Sequence, residues 1–221
     1  MPIPKILHQT YKNRDLSALF AHCQQEVQRL HPTFEYRFYT DEDIDRVMKT
    51  EFADYYETFM ELPRMIMKID MFRYCLLYKY GGIYLDMDYL MLKPFDLLEY
   101  DVVLPCNRES STGVPECLGN CILASVPGHP FWKSLMDTLF TIDRRNISYK
   151  VDAKIDSFVL GTGPMFVYAM WKKYREGGIF VPCRNWFHPP CVTTSSEIAE
   201  LLANGSYGMH FCIGSWRDER L

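Results

Sequence analysis

No apolar run in the 221-residue chain approaches the roughly 20 residues that cross a bilayer; the longest are broken within about ten. No basic stretch followed by an apolar one opens the chain, as a secretory leader would. A basic surplus is missing too: 24 Lys and Arg stand against 28 Asp and Glu, a formal net charge of −4. Gripping a phosphate backbone takes a concentrated basic face, so nucleic acid is not the expected partner. Cys-x-x-Cys is absent, and eight cysteines in this length do not make a disulfide scaffold. A reducing cytoplasmic setting is therefore expected, with a secretory lumen as the alternative in which the sequons at Asn146 and Asn204 would matter. Cys117 and Cys121, with Cys106 nearby, could hold a metal, but no His lies close in sequence and buried free cysteine is common. With no repeat, low-complexity tract or linker, one domain over residues 1–221 is expected, large enough to need no staple.

What is present alternates. Ile3 to Thr10 reads as a strand, and Asp15 as the cap of an amphipathic helix through Leu16, Leu19, Phe20, Cys23, Val27 and Leu30. Phe34 to Tyr39 reads as a second strand, after which Thr40 and Asp43 form a capping box for a short helix through Val47. Leu62 to Tyr80 carries an apolar stripe at Met65, Ile69, Phe72 and Leu76 and stops at Gly81-Gly82. Ile83-Tyr84-Leu85 then reads as a buried strand ending at Asp86-Met87-Asp88. Further strands are expected at Val102 to Leu104, Cys121 to Ala124 and Ile179 to Val181, with helices from Phe131 to Phe140 and Met165 to Tyr174. Strand–helix alternation predicts an α/β fold with a largely parallel sheet whose ligands sit at the carboxyl ends of the strands.

Asp-x-Asp occurs three times, and context separates the copies. Asp41, Asp43 and Asp45 open a helix, where capping and the helix dipole explain them. Asp86 and Asp88 follow a buried strand, where two carboxylates repel without structural reason; in an extended segment they would face one ion. Paired hard oxygens suit Mn²⁺ or Mg²⁺, which also bind diphosphates. Asp70 and Arg73 share a face of the preceding helix, as an intrahelical ion pair or as donor-sugar contacts in the same crevice. His210 is either structural or a third metal ligand, with Ser215 and Trp216 behind it in a tail that could close over the site. Gly161-Thr162-Gly163-Pro164 is a tight turn near a ligand or simply the start of a helix.

Several segments together resemble the Asp-x-Asp sugar transferases of the glycosyltransferase family 32 type. That family includes the yeast initiating α-1,6-mannosyltransferase, bacterial capsule enzymes and, distantly, clostridial glucosylating toxin domains. The resemblance is carried by Ile3-Pro4-Lys5-Ile6-Leu7-His8-Gln9-Thr10, Lys68-Ile69-Asp70 with Arg73-Tyr74, Tyr80 through Asp88, Gly161-Thr162-Gly163-Pro164, and His210 with Gly214-Ser215-Trp216. It implies a GT-A fold, a nucleotide-diphosphate sugar donor (UDP-hexose or GDP-mannose), a divalent ion usually Mn²⁺, a glycan or other hydroxyl acceptor, and retention of configuration. By the same resemblance Tyr11 stacks on the base with His8, Gln9 and Thr10 around it. Asp70 and Arg73 hold the donor sugar beside Tyr84, Gly163, Ser215 and Trp216, and Asn120 lies beside the reacting sugar. Asp86 touches ribose and metal, Asp88 binds the metal, and His210 completes the shell. A haloacid-dehalogenase-type phosphohydrolase also places Asp-x-Asp after a strand. It would want Thr or Val where Leu90 stands and an acidic pair that Asp137, Asp143, Asp152 and Asp156 do not form. A non-catalytic sugar-binding module is the third reading, distinguished by whether nucleotide is released from a donor.

Overall fold

Strand β1 (Ile6–Thr10), helix α1 (Ala18–Leu30), strand β2 (Glu35–Tyr39) and helix α2 (Asp41–Glu51) realise the predicted alternation in a computed structural model that describes residues 1–141, 161–174 and 177–214. Phe20, Cys23 and Val27 form the buried stripe of α1, as their spacing requires. Its cap is Ser17, whose Oγ accepts from the Phe20 amide, whereas Asp15 is engaged two residues back by the Asn13 side chain. The Thr40–Asp43 capping box opens α2, with both reciprocal bonds formed.

The long segment foreseen as one helix from Leu62 begins at Met65: α4 (Met65–Tyr80) is preceded by a separate α3 (Ala53–Glu61). Leu62 is extended (φ −64°, ψ 124°), as a residue before Pro63 should be, and this divides the two. Strands β3 (Gly82–Leu85), β4 (Tyr89–Met91), β5 (Val102–Val103), β6 (Cys106–Glu109), β7 (Pro115–Leu118) and β8 (Ile122–Ser125) follow, then α5 (Pro130–Thr141). After residues outside the described set come α6 (Pro164–Lys173), β9 (Ile179–Phe180), α7 (Arg184–Phe187), α8 (Ser195–Ala203) and β10 (Gly208–His210).

The main sheet runs β2-β1-β3-β8-β5-β9. β1 is parallel to both β2 and β3, and β9 to β5, while β8 lies antiparallel between β3 and β5, so the sheet is mostly parallel with one reversed strand. Two further ladders, β4 with β10 and β6 with β7, are antiparallel. Alternating side chains load both faces. Tyr84, Leu123 and Val102 join the core built on α4 and α5, whereas Ile83, Leu85, Ala124 and Val103 join that of α1 and Phe187. α4 is buried almost all round, including Asp70 and Arg73, and so runs through the interior.

The Gly81-Gly82 junction sets where β3 begins. Gly81 has φ +63° and Gly82 φ +89°, and a Cβ on Gly82 would lie 2.6 Å from the Ile6 carbonyl oxygen. Only glycine meets both conditions. Gly82→Ala should lose about 2 kcal/mol or more in urea unfolding, whereas Gly128→Ala, with similar φ (+73°) but open space around it, should lose about 1. Equal losses would show that the close approach of β1 to this turn carries no energetic weight.

Candidate active site

The two aspartates converge through a turn rather than an extended strand. The Asp86 amide donates to the Cys121 carbonyl at 2.8 Å, which ends β3, and the Tyr89 amide donates back to the Asp86 carbonyl at 3.1 Å, closing the turn 86–89. β4 leaves that turn and pairs with β10 so that His210 stands opposite Tyr89. His210 Nε2 is thereby 3.0 Å from Asp88 Oδ1 and 3.8 Å from Asp86 Oδ2. The other Asp88 oxygen accepts from the Ile213 amide at 2.9 Å. That contact depends on Cys212, which holds a left-handed φ of 52°, a conformation costly for a side-chain-bearing residue.

One ligand atom from each of Asp86, Asp88 and His210 lies within 4.8 Å of the others. Two hard carboxylates and an imidazole brought together fit a divalent ion of the Mg²⁺ or Mn²⁺ kind. Their environments differ. Burial pushes the Asp86 carboxyl up, and Arg73 and His210 only partly offset this. Burial acts the same way on Asp88, but the bonds from His210 and the Ile213 amide outweigh it and hold that carboxyl below the usual range. Burial would lower His210, yet Cys121 and Asp88 against the ring raise it instead.

Behind this trio sits a buried charge network. Asp70 and Arg73 are each 2% exposed. Arg73 Nη1 donates to the Asn120 carbonyl at 2.6 Å, and Nη2 lies 3.4 Å from Asp70 Oδ1 and 3.6 Å from Asp86 Oδ1. Its guanidinium also lies 4.6 Å above the Tyr84 ring. Asp70 accepts from Asn120 Nδ2 at 2.9 Å and from Thr162 Oγ1 at 2.8 Å. The Tyr84 hydroxyl bridges Thr10 Oγ1 at 2.8 Å and Asp86 Oδ1 at 3.2 Å.

These residues border a cleft of about 380 Å³ that also meets Thr10, Tyr11 and Gly163. Tyr11 packs edge-on against Phe20, with ring centroids 5.2 Å apart. His8 and Gln9 do not reach the cleft. Gln9 points to the opposite face of β1, where Tyr36 donates to it, and His8 lies two residues deeper than Thr10, where Nε2 donates to the Gly81 carbonyl at 3.0 Å. Ser215 and Trp216 lie outside the described residues, as do Asp143, Asp152, Asp156 and Asn146. Sequence reasoning did not single out Lys12 or His188, which line the cleft together with Asp41. Asp41 was assigned to the helix start, yet its Oδ1 is buried without a partner. The cysteine group came out differently: Cys121 meets His188, 67 residues away, while Cys106 and Cys117 stay in the β6–β7 hairpin.

Burial raises the Asp70 carboxyl from its ordinary 3.8 to about 6, against the pull of Arg73 and Thr162. The folded state therefore binds this proton more tightly than the unfolded one. The Asp70 contribution to stability is complete below about pH 4 and is lost as pH rises toward about 6. The stability difference between the protein and its Asp70→Asn variant should shift against the protein across that window, by up to about 1 kcal/mol per pH unit. Chemical denaturation at several pH values checks this; a difference independent of pH would mean that Asp70 is not desolvated.

Residues 17–106 match the family model for the glycosyltransferase sugar-binding region containing a DXD motif. A mannosyl phosphorylinositol ceramide synthase of Saccharomyces cerevisiae is 35% identical over 94% of the chain and 49% of its own length. Inositol phosphoceramide mannosyltransferase 3 of Schizosaccharomyces pombe is 31% identical over 79% of the chain and 46% of its own. The initiation-specific α-1,6-mannosyltransferase of Candida albicans is 28% identical over 43% of the chain and 26% of its own length. The chain thus spans about half the length, or less, of the curated relatives it matches. Among solved structures, the PaToxG glycosyltransferase superposes with a TM-score of 0.56 at 16% identity, covering 78% of this chain and 69% of that one. The ligand-free glycosyltransferase domain of the YGT toxin gives 0.56 at 9% identity, covering 82% and 80%. At that distance the likeness shows the fold, which is of the GT-A type. No helix among the described residues is long and apolar enough to cross a membrane. Residues 17–106 thus carry the DXD-containing sugar-binding region of this glycosyltransferase family, and the likeness to its yeast mannosyl-transferring relatives runs over most of the chain.

Proposed function

We propose that residues 1–221 form one GT-A catalytic domain that moves a hexosyl group from a nucleotide-diphosphate sugar to a hydroxyl acceptor with retention of configuration. The observation that carries this reading is the convergence of Asp86, Asp88 and His210 beside the buried Asp70–Arg73 pair at one cleft. Between UDP-hexose and GDP-mannose, the mannosyl names of the relatives favour GDP-mannose. Their names also favour, as acceptor, the hydroxyl of an inositol-bearing lipid headgroup over a free glycan. All eight cysteines are unpaired, which supports a reducing, cytoplasmic setting; the sphingolipid in the relatives' names supports a secretory lumen as the second reading.

Asp86, Asp88 and His210 would hold Mn²⁺ or Mg²⁺, which when bound neutralises the charge that develops on the departing diphosphate. Tyr11 offers its ring to the base, and Thr10 and Tyr84 position Asp86 through the shared hydroxyl contacts. Arg73 places a fixed, desolvated cation next to Asp86, where it acts on the leaving group without reorganising. Asp70 and Asn120 orient the sugar, with Gly163 leaving room for it. Ser215 and Trp216, just past His210 in sequence, remain proposed donor contacts. His8 and Gln9 act from beneath, by donating to the Gly81 and Asp86 carbonyls that flank β3. Among the residues assigned to the donor, no carboxylate is free of a charged or hydrogen-bonded partner. Same-face attack by the acceptor hydroxyl, its proton passing to the leaving phosphate, is therefore preferred to a double displacement.

Asp88→Ala tests the reading. The variant should stay folded by circular dichroism, since the contacts it loses lie at the cleft and leave both hydrophobic cores intact. Its Mn²⁺-supported release of nucleoside diphosphate from the sugar nucleotide should fall by about a hundredfold or more. Full activity at matched Mn²⁺ would refute the site, and release of inorganic phosphate alone would point to a phosphohydrolase.

A further inference from the structure

His210 has a second set of neighbours. Cys121, His188 and His210 each offer one ligand atom, and these three atoms also lie within 4.8 Å of one another. Cys121 and His188 are buried on the wall of the same cleft. Neither belongs to the donor contacts described above.

His188 is arranged as a metal-ligating histidine is. Its Nδ1 lies 3.1 Å from the Cys106 carbonyl oxygen, which can only accept, so the Nδ1 hydrogen is committed there. The lone pair of Nε2 is left facing Cys121 Sγ at 3.2 Å. An outer-shell carbonyl that fixes tautomer and ring orientation in this way is the usual companion of a metal-bound imidazole. The ring is seated against Gly119, where a Cβ would come within 2.5 Å of His188 Cε1. Sulfur at 2.3 Å and nitrogen at 2.0–2.1 Å from a tetrahedral ion are separated by about 3.5 Å, close to the observed spacing. The Cys121 carbonyl bonds the Asp86 amide at 2.8 Å, which pins this thiol at the level of the Asp-x-Asp turn.

We propose that Cys121, His188 and His210 form a second metal site, selective for a soft transition ion of the Zn²⁺ kind, with its fourth position open to the cleft. One thiolate and two imidazoles suit Zn²⁺ and not Mn²⁺ or Mg²⁺, which prefer the carboxylate set. On binding, a Zn–S bond forms and the Cys121 S–H proton leaves to solvent. His210 serves both sets, so Zn²⁺ held here withdraws it from the Asp86–Asp88 ion, and the two metals bind antagonistically. Only that antagonism rests on the sugar-transfer reading.

Co²⁺, a spectroscopic stand-in for Zn²⁺, tests the site on the metal-free chain without donor or turnover, so failure here leaves the sugar-transfer reading untouched. Titration should produce a thiolate-to-cobalt charge-transfer band in the near ultraviolet that Zn²⁺ bleaches. Cys121→Ser should abolish the band, and Asp88→Asn should keep it. Loss of an outer-shell partner of a ligand costs about ten- to a hundredfold in metal affinity, and His188→Ala should cost no less. Cys183 is exposed and touches none of the three ligands, so Cys183→Ser should be neutral to folding and retain the band. Saturating Mn²⁺ should weaken Zn²⁺ binding in the protein but not in Asp88→Asn, which keeps all three Zn²⁺ ligands and loses a carboxylate of the other set. Absence of the band in the unmodified chain, its survival in Cys121→Ser, or its loss in Cys183→Ser would each overturn the proposal.

Discussion

A guanidinium almost wholly removed from water is the constraint from which the site follows. Desolvating a cation is so costly that Arg73 persists only where negative and polar groups close around it. It is met by the Asp70 and Asp86 carboxylates, the Asn120 carbonyl and the face of Tyr84, contributed by α4, the end of β3 and the turn before β8. Those elements are thereby tied to one point. The antiparallel placement of β8 against β3, the one reversal in the sheet, is what brings Asn120 to α4. Thr162 extends the same network to the start of α6, because its hydroxyl donates to Asp70 while its carbonyl accepts from Tyr74.

The metal side is built by different means. Here the turn 86–89 and the short β4–β10 ladder deliver three candidate ligands from two distant stretches of chain, and strained backbone at Cys212 completes the Asp88 contacts. The two carboxylates are kept unequal: Asp86, desolvated and beside Arg73, is pushed up, and Asp88, hydrogen-bonded from His210 and Ile213, is held down. Unequal neighbours relieve the repulsion that two identical carboxylates would suffer.

Much of this was legible because local chemistry and global fold agree. The Thr40–Asp43 box, the α1 stripe and the Gly81-Gly82 stop each act within a few residues, and each appears as expected. Helix α3 has no counterpart in the sequence reading, and α4 starts at Met65 rather than Leu62 because the backbone preference before Pro63 keeps Leu62 extended. The sequence predicts an extended Asp-x-Asp; a turn aims the same side chains together, so the chemistry is legible where the conformation is not. His8 and Gln9 belong to a segment that carried the resemblance, yet strand alternation and depth keep them from the cleft. Cys121 with His188 was invisible for another reason, since 67 residues separate them and only tertiary packing makes them neighbours.

The central claim is that Asp86, Asp88 and His210 present a divalent ion to the diphosphate of a sugar nucleotide. The most direct measurement is calorimetric titration of GDP into the protein with Mn²⁺ and with chelator. Binding should be at least about tenfold tighter with Mn²⁺, and, because such coupling is reciprocal, GDP should tighten Mn²⁺ by the same factor. Equal GDP affinity in the two conditions would contradict the account.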